Sequence, residues 1–120
     1  MTTMTETRAD PTLEALAAMA EALEANARDE QLLAQRIRDL QARRAEQGTW
    51  RDILSDEEQP GTVQLVSRTL ARLSLSSGTL RRSLVVALRE EGVSIPVIAR
   101  LFGVTHQRVS NLLRRSDSDT

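Results

Sequence analysis

The sequence predicts an all-α fold, in which a long N-terminal helical arm, a coiled coil or a hairpin, precedes a three-helix domain at the C-terminal end. Leucine, isoleucine and alanine recur at spacings of three and four, and no Gly or Pro interrupts the chain between Pro11 and Gly48. Further along, Gly92 and Gly103 separate short segments with the same helical period. Hydrophobic residues make up 40% of the chain but aromatic residues only 2%, so we expect a modest core of Leu, Val and Ile.

The arm comprises residues 11–47 and follows a polar leader, residues 1–10, that we expect to be disordered. Asp10 can cap its helix, and Pro11 suits the first turn. Its apolar residues form two series, which are Leu13, Leu16, Ala20 and Leu23, then Leu33, Ile37 and Leu40. The series are out of phase between residues 26 and 29, which indicates one long helix with a local adjustment or two helices with a joint.

A helix this long and this charged must pack against another helix. An antiparallel hairpin within the chain and a coiled coil between two chains remain equally open. For the second case, the predicted dimerisation residues are Leu13, Leu16, Leu23, Leu33, Ile37 and Leu40.

Residues 48–78 read as short helices and a connector. Thr49 can cap a helical turn that begins at Trp50, a side chain we interpret as a packing anchor. Residues 55–58 have the spacing of a capping box, although the Pro-Gly pair at 60–61 fits a loop equally well. A further helix is predicted from about residue 62 to 75, and residues 76–78, Ser-Ser-Gly, are predicted to be a hinge.

Residues 79–115 are predicted to form three helices, before a Ser/Asp tail at 116–120 that we expect to be disordered. Gly92 ends the first helix, Ser94 caps the second, and Gly103 makes a tight left-handed turn. Thr105 caps the third helix, from about 106 to 115. The predicted core residues are Leu80, Leu84, Val85, Leu88, Ile98, Ala99, Phe102, Val104, Val109, Leu112 and Leu113.

Residues 95–114 match the helix-turn-helix pattern, with small Ala99 where two helices cross, Gly103 at the turn, and apolar residues at the shared core positions. The pattern resembles the helix-turn-helix of bacterial repressors and the promoter-reading region of sigma factors. The longer stretch from Trp50 to Ser110 looks like a set of small actinobacterial helix-turn-helix proteins. The resemblance implies binding to double-stranded DNA and a role in transcription regulation.

The third helix offers polar side chains on the face opposite Val109 and Leu112. Gln107 and Asn111 can read an adenine edge, and Arg108 can read guanine, so these three are the predicted base-reading residues. The predicted contacts to the DNA backbone are Ser94, Thr105, His106, Ser110, Arg114 and Arg115.

Charge and composition narrow the function further. The net charge is −1, but residues 1–60 carry 7 Arg against 13 acids, whereas residues 61–120 carry 9 Arg against 4 acids, so the motif lies in the basic half. With no Cys and one His, we expect no metal, no cofactor and no enzyme activity. No apolar run has the length of a membrane span, and no signal sequence is evident, which favours a cytoplasmic, nucleoid-associated protein without membrane contact.

Specific affinity normally needs two half-sites bound together, so we expect a homodimer. One alternative is a protein-interaction adaptor or sigma-factor antagonist, whose acidic arm binds a protein partner. A helix-turn-helix used only for protein contacts is a third possibility.

Overall fold

The computed structural model describes residues 10–119, and over that range it contains five α-helices and no strand. The helices are α1 (Pro11–Ala45), α2 (Trp50–Ser55), α3 (Thr62–Glu90), α4 (Ile95–Phe102) and α5 (His106–Asp119). The predicted all-α class is confirmed, including the long N-terminal helix. The predicted disordered leader lies outside the described residues, apart from Asp10.

Local sequence signals set several of the helix starts. The Asp10 carboxylate accepts a hydrogen bond from the Thr12 amide at 2.9 Å, and the Thr49 hydroxyl accepts one from the Asp52 amide at 3.1 Å. Residues 56–61 form a loop, so the capping-box interpretation of residues 55–58 is wrong. Instead, the Glu57 carboxylate accepts hydrogen bonds from the backbone amide and the hydroxyl of Thr62 at the start of α3.

The predicted hinge at residues 76–78 is wrong, because α3 continues through it to Glu90. A single Gly inside a helix costs only about 1 kcal/mol relative to Ala, which packing on either side of Gly78 can offset. The hydroxyl of Thr79 donates to the Leu75 carbonyl at 3.1 Å and so stays within the helix. α5 extends to Asp119, into the segment predicted to be a disordered tail, and Thr120 lies outside the described residues.

The chain divides into two compact units. The C-terminal unit combines the start of α1, up to Met19, with the chain from Leu75 onward, and the hairpin unit is Ala20–Ser74. The first turns of α1 thus group with the C-terminal unit, whereas the boundaries at 47 and 79 stay predictions. The hydroxyls of Thr12 and Ser83 are hydrogen-bonded there at 2.9 Å.

In the hairpin unit, α1 runs antiparallel to α3 of the same chain. The Asn26 amide donates to the Thr69 carbonyl at 3.0 Å, and further along α1 the Arg36 guanidinium donates to the Glu58 carbonyl at 2.9 Å. The seam of α1 follows spacings of three and four without a break, through Ala22, Asn26, Asp29, Leu33 and Arg36, all of which are buried or half-buried. No joint is therefore present between residues 26 and 29.

The members of the two apolar series do not share one face of α1. Leu33 is buried in the intrachain seam, and Leu40 is half-buried at a seam position. By contrast, Leu13, Leu16, Leu23 and Ile37 are exposed. Of the six predicted dimerisation residues, Leu33 and Leu40 therefore lie in the intrachain seam and the other four are exposed, and dimerisation through them stays a prediction.

A polar cluster lies in the middle of the hairpin seam. Asn26 is only 1% exposed, and its Oδ1 accepts a hydrogen bond from Arg72 at 2.6 Å. The Asp29 carboxylate accepts from Arg72 at 3.0 Å and from Arg68 at 3.2 Å. The hydrogen bond from Arg72, which has the largest effect, and the one from Arg68 hold the pKa of the Asp29 carboxyl below its ordinary value of 3.8. Because a shift of α1 along α3 would break these hydrogen bonds, we expect the cluster to favour this register of the hairpin.

The lowered pKa of Asp29 predicts how hairpin stability depends on pH. The carboxylate contributes stability above pH 3.8 and loses it as the pH falls through the pKa of the folded state. Asp29→Asn is therefore expected to lower the urea midpoint at neutral pH, by an amount that shrinks on acidification below that value. Glu24→Gln, at an exposed acid of the same helix outside the seam, is the control. A gap between wild type and Asp29→Asn that stayed constant with pH would contradict this role.

Candidate nucleic-acid interface

The core of the C-terminal unit joins α3, α4 and α5. Its buried members are Val85, Ile98, Ala99, Val109 and Leu112, and the partly buried residues around them are Leu88, Val93, Ile95, Phe102 and Leu113. Leu80 and Leu84 are half-buried. Val104 differs from the prediction, since it is 36% exposed and not part of this core. It contributes through its backbone amide, which donates to the Ala99 carbonyl at 3.0 Å.

The turn between α4 and α5 has the predicted left-handed geometry. Gly103 has φ 66° and ψ 36°, and its amide donates to the Arg100 carbonyl at 3.3 Å. With the bond from Val104, this pattern satisfies the last carbonyls of α4. The Thr105 hydroxyl then accepts from the Arg108 amide at 3.1 Å and caps α5, as predicted. Turn and cap together set the direction in which α5 leaves the core.

Gly103→Val is expected to destabilise the C-terminal unit by about 1–3 kcal/mol, because a β-branched residue is strained at positive φ. Space is not the cause, since a Cβ at this position would have no heavy atom within 4 Å. Gly103→Asn is the matched control, because Asn tolerates the left-handed conformation better. Urea unfolding measures both variants, and equal stability of the Val variant and wild type would contradict the strain argument.

The face of α5 opposite the core presents a polar row. Gln107, Arg108 and Arg114 are exposed, and Asn111 is half-buried beside them. The Gln107 amide donates to Asn111 Oδ1 at 3.2 Å, and the Arg114 guanidinium donates to the same oxygen. Residues three and four apart are neighbours on a helix, so these bonds link the row along about two turns.

This hydrogen bonding bears on how α5 can read a base. Reading adenine requires an amide oxygen that accepts from N6–H, whereas Asn111 Oδ1 already accepts two hydrogen bonds. Guanine offers only acceptors, O6 and N7, at its major-groove edge. The linked row of Asn111 and Arg114 therefore matches guanine as it stands and must rearrange to let Asn111 read adenine.

The residues predicted to contact the DNA backbone lie around this row. Ser94 is exposed at the start of α4 and makes no side-chain capping bond, so its hydroxyl does not serve the helix. Thr105, His106 and Arg115 are exposed near the two ends of the row, and Ser110 is half-buried.

Sequence reasoning passed over Arg100 as a candidate for the same role. It lies exposed in the last turn of α4, beside the buried pair Ile98 and Ala99. Its position two residues after the core residue Ile98, about 200° around the helix, was a signal in the sequence that it points away from the core.

Comparison with family models tests the motif. Residues 76–119 match the homeodomain-like domain model. The match covers α4, α5 and the part of α3 that packs on them, and it starts three residues before the predicted boundary at 79. The match supports the general assignment of this chain as a helix-turn-helix protein that binds DNA. Neither the curated proteins nor the solved structures gave a match to the chain.

Among the described residues, no helix combines the length and the apolar character needed to cross a membrane. Within residues 10–119, no group of three or more His, Cys, Asp or Glu side chains is placed to hold a metal ion.

Proposed function

We propose that this chain is a transcriptional regulator that binds duplex DNA at specific sequences by placing α5 in the major groove. The exposed polar row of α5 carries the proposal, since buried Val109 and Leu112 anchor the opposite face in the core. The homeodomain-like match over residues 76–119 supports the same assignment. The resemblance to small actinobacterial helix-turn-helix proteins belongs to this proposal as well.

The base-reading residues in this proposal are Gln107, Arg108 and Asn111, near the start of α5. The backbone contacts are Ser94, Thr105, His106, Ser110, Arg114 and Arg115, and we add Arg100 because it is exposed in the last turn of α4. The chain acts as a binding module without catalysis or cofactor, and its DNA contacts keep it at the nucleoid in the cytoplasm.

The regulator acts as a homodimer in this proposal. One helix-turn-helix contacts only a few base pairs, and a two-fold pair reads two half-sites one helical turn of DNA apart. The adaptor or sigma-factor antagonist gains no comparable support, because the homeodomain-like match favours a DNA-binding protein.

Selection from random duplexes with the full-length chain tests the proposal. We expect enrichment of a two-fold symmetric site, and affinity for that site at least about 10³-fold higher than for a scrambled duplex of equal length. The triple variant Gln107→Ala, Arg108→Ala, Asn111→Ala is the control and is expected to lose this preference while it stays folded. A wild-type chain that enriches no sequence and passes through a DNA column at low salt would contradict the proposal.

A further inference from the structure

The hairpin unit carries a row of exposed aliphatic side chains beside its seam. Each member follows a seam residue by one position, as Leu23 follows Ala22 and Val66 follows Leu65. In an antiparallel pair of right-handed helices, such positions on both helices lie on the same side of the pair. We call this side the lateral face, and its aliphatic members are Leu23, Ile37, Val63, Val66 and Leu70.

These side chains are well exposed within the chain. Val63 is 65% exposed, Leu70 63% and Leu23 51%. Between Leu23 and Ile37, the lateral face of α1 has alanine at positions 27 and 34 and one acid, Glu30, all exposed. On the opposite side of the seam, α1 has one exposed large apolar residue in this unit, Leu32. The apolar character is thus concentrated on one side of the hairpin.

We infer that the lateral face binds a second copy of this chain, so that two hairpins form a four-helix arrangement. Alternation of Leu or Ile with Ala suits interlocking helix packing, because small residues leave holes for large ones. At 1.5 Å per residue, the parts of α1 and α3 in this unit, residues 20–45 and 62–74, span about 38 Å and about 20 Å. Each helix is about 10 Å wide, so the face offers on the order of 600 Å² per partner. Stable interfaces bury about 800 Å² on each side, which this face approaches.

Charge also favours a second copy over other occupants. Along α1, the lateral face has one acid, Glu30, and one base, Arg44, so it carries no net charge to repel its own copy. For the same reason it has no excess charge to attract DNA or a strongly acidic or basic protein. A two-fold interface needs only one self-complementary patch. The second copy is the partner in the dimeric regulator proposed above. The biological role of this dimer rests on the proposed function, whereas the structural evidence for the face does not.

Molar mass from light scattering at micromolar concentrations, without DNA, tests the inference on the full-length chain. We expect a dimer for wild type and a monomer for Leu70→Asp and for Leu23→Asp, since each would bury an unpaired charge in the interface. Leu32→Asp is the matched control, because Leu32 is 43% exposed on the opposite side of the same seam. It is expected to remain dimeric. Circular dichroism should show equal helix content in all four proteins.

A monomeric wild type would overturn the inference, and so would dissociation by Leu32→Asp to the same extent as by Leu70→Asp. If an Asp variant loses helix content, Leu70→Ser and Leu32→Ser replace the pair. A monomer that still selects a DNA sequence would reject the dimer face and leave DNA recognition standing. A dimeric wild type that binds no DNA would support the dimer face and reject DNA recognition.

Discussion

Ile98→Ala is expected to destabilise the C-terminal unit by about 2–5 kcal/mol. DNA binding is expected to be lost at temperatures near the melting temperature of the variant, where the unit unfolds. Ile98 is 0% exposed and lies in the cluster that holds α4 against α3 and α5. Truncation would remove three carbons from a site enclosed by Val85, Val109 and Leu112 and leave a cavity. Small domains are stable by only about 5–15 kcal/mol, so a loss of this size is a large fraction of the total.

Leu101→Ala is the matched control for this core prediction. Leu101 belongs to the same short helix but is 66% exposed, so its truncation is expected to change stability by less than about 0.5 kcal/mol. Urea unfolding followed by circular dichroism measures both variants. Similar losses for the two would show that α4 does not pack in the orientation described.

Alanine at Gln107, Arg108 or Asn111 is expected to cost about 1–3 kcal/mol of binding to the selected site. These side chains lie in the first turns of α5, where helices of this motif approach base edges. The effect of Gln107→Ala and Asn111→Ala on random DNA is expected to be much smaller. Titrations on the selected duplex and on a scrambled one of equal length measure the difference.

Arg115→Ala provides the contrast within the same helix. Arg115 lies about two turns beyond Gln107, where the proposal has the guanidinium reach phosphate oxygens. We expect equal weakening on selected and random DNA and a salt slope smaller by about one unit. The same result is expected for Arg114→Ala, with a further loss of specificity if its hydrogen bond to Asn111 persists on DNA. If Arg115→Ala lost specificity while Asn111→Ala lost only overall affinity, base reading would belong further toward the C-terminus.

Much of the C-terminal unit could be predicted from the sequence because its signals are local. Gly103 followed two residues later by Thr105 specifies a left-handed turn and a cap, and both occur as predicted. The periodicity of Ile98, Val109 and Leu112 likewise identified the core. Val104 was mistaken for a core residue because position in the motif does not reveal how much of a side chain the neighbouring helices cover.

The hairpin unit was harder to predict because long-range pairing decides it. The sequence suggested that the leucines formed the seam, whereas Asn26 and Asp29 occupy it with Arg72, more than 40 residues away in the chain. In a helical sequence, a polar residue is taken to face solvent until the residue that pairs with it is known. The continuous α3 could not be predicted either, since the Ser-Ser-Gly sequence is typical of a hinge and its packing is not visible in the sequence.

The salt dependence of wild-type binding to a random duplex tests the central claim of DNA binding most directly. A chain that grips phosphates through Arg100, Arg114 and Arg115 releases counterions, so log K is expected to fall linearly with log salt concentration. With about three phosphates contacted per chain, the slope would be near −3 for one chain and near −5 for a dimer. Affinity would then fall by about 10²-fold to 10³-fold between about 50 and 200 mM salt. No binding at the lowest salt, or an affinity independent of salt, would contradict the account.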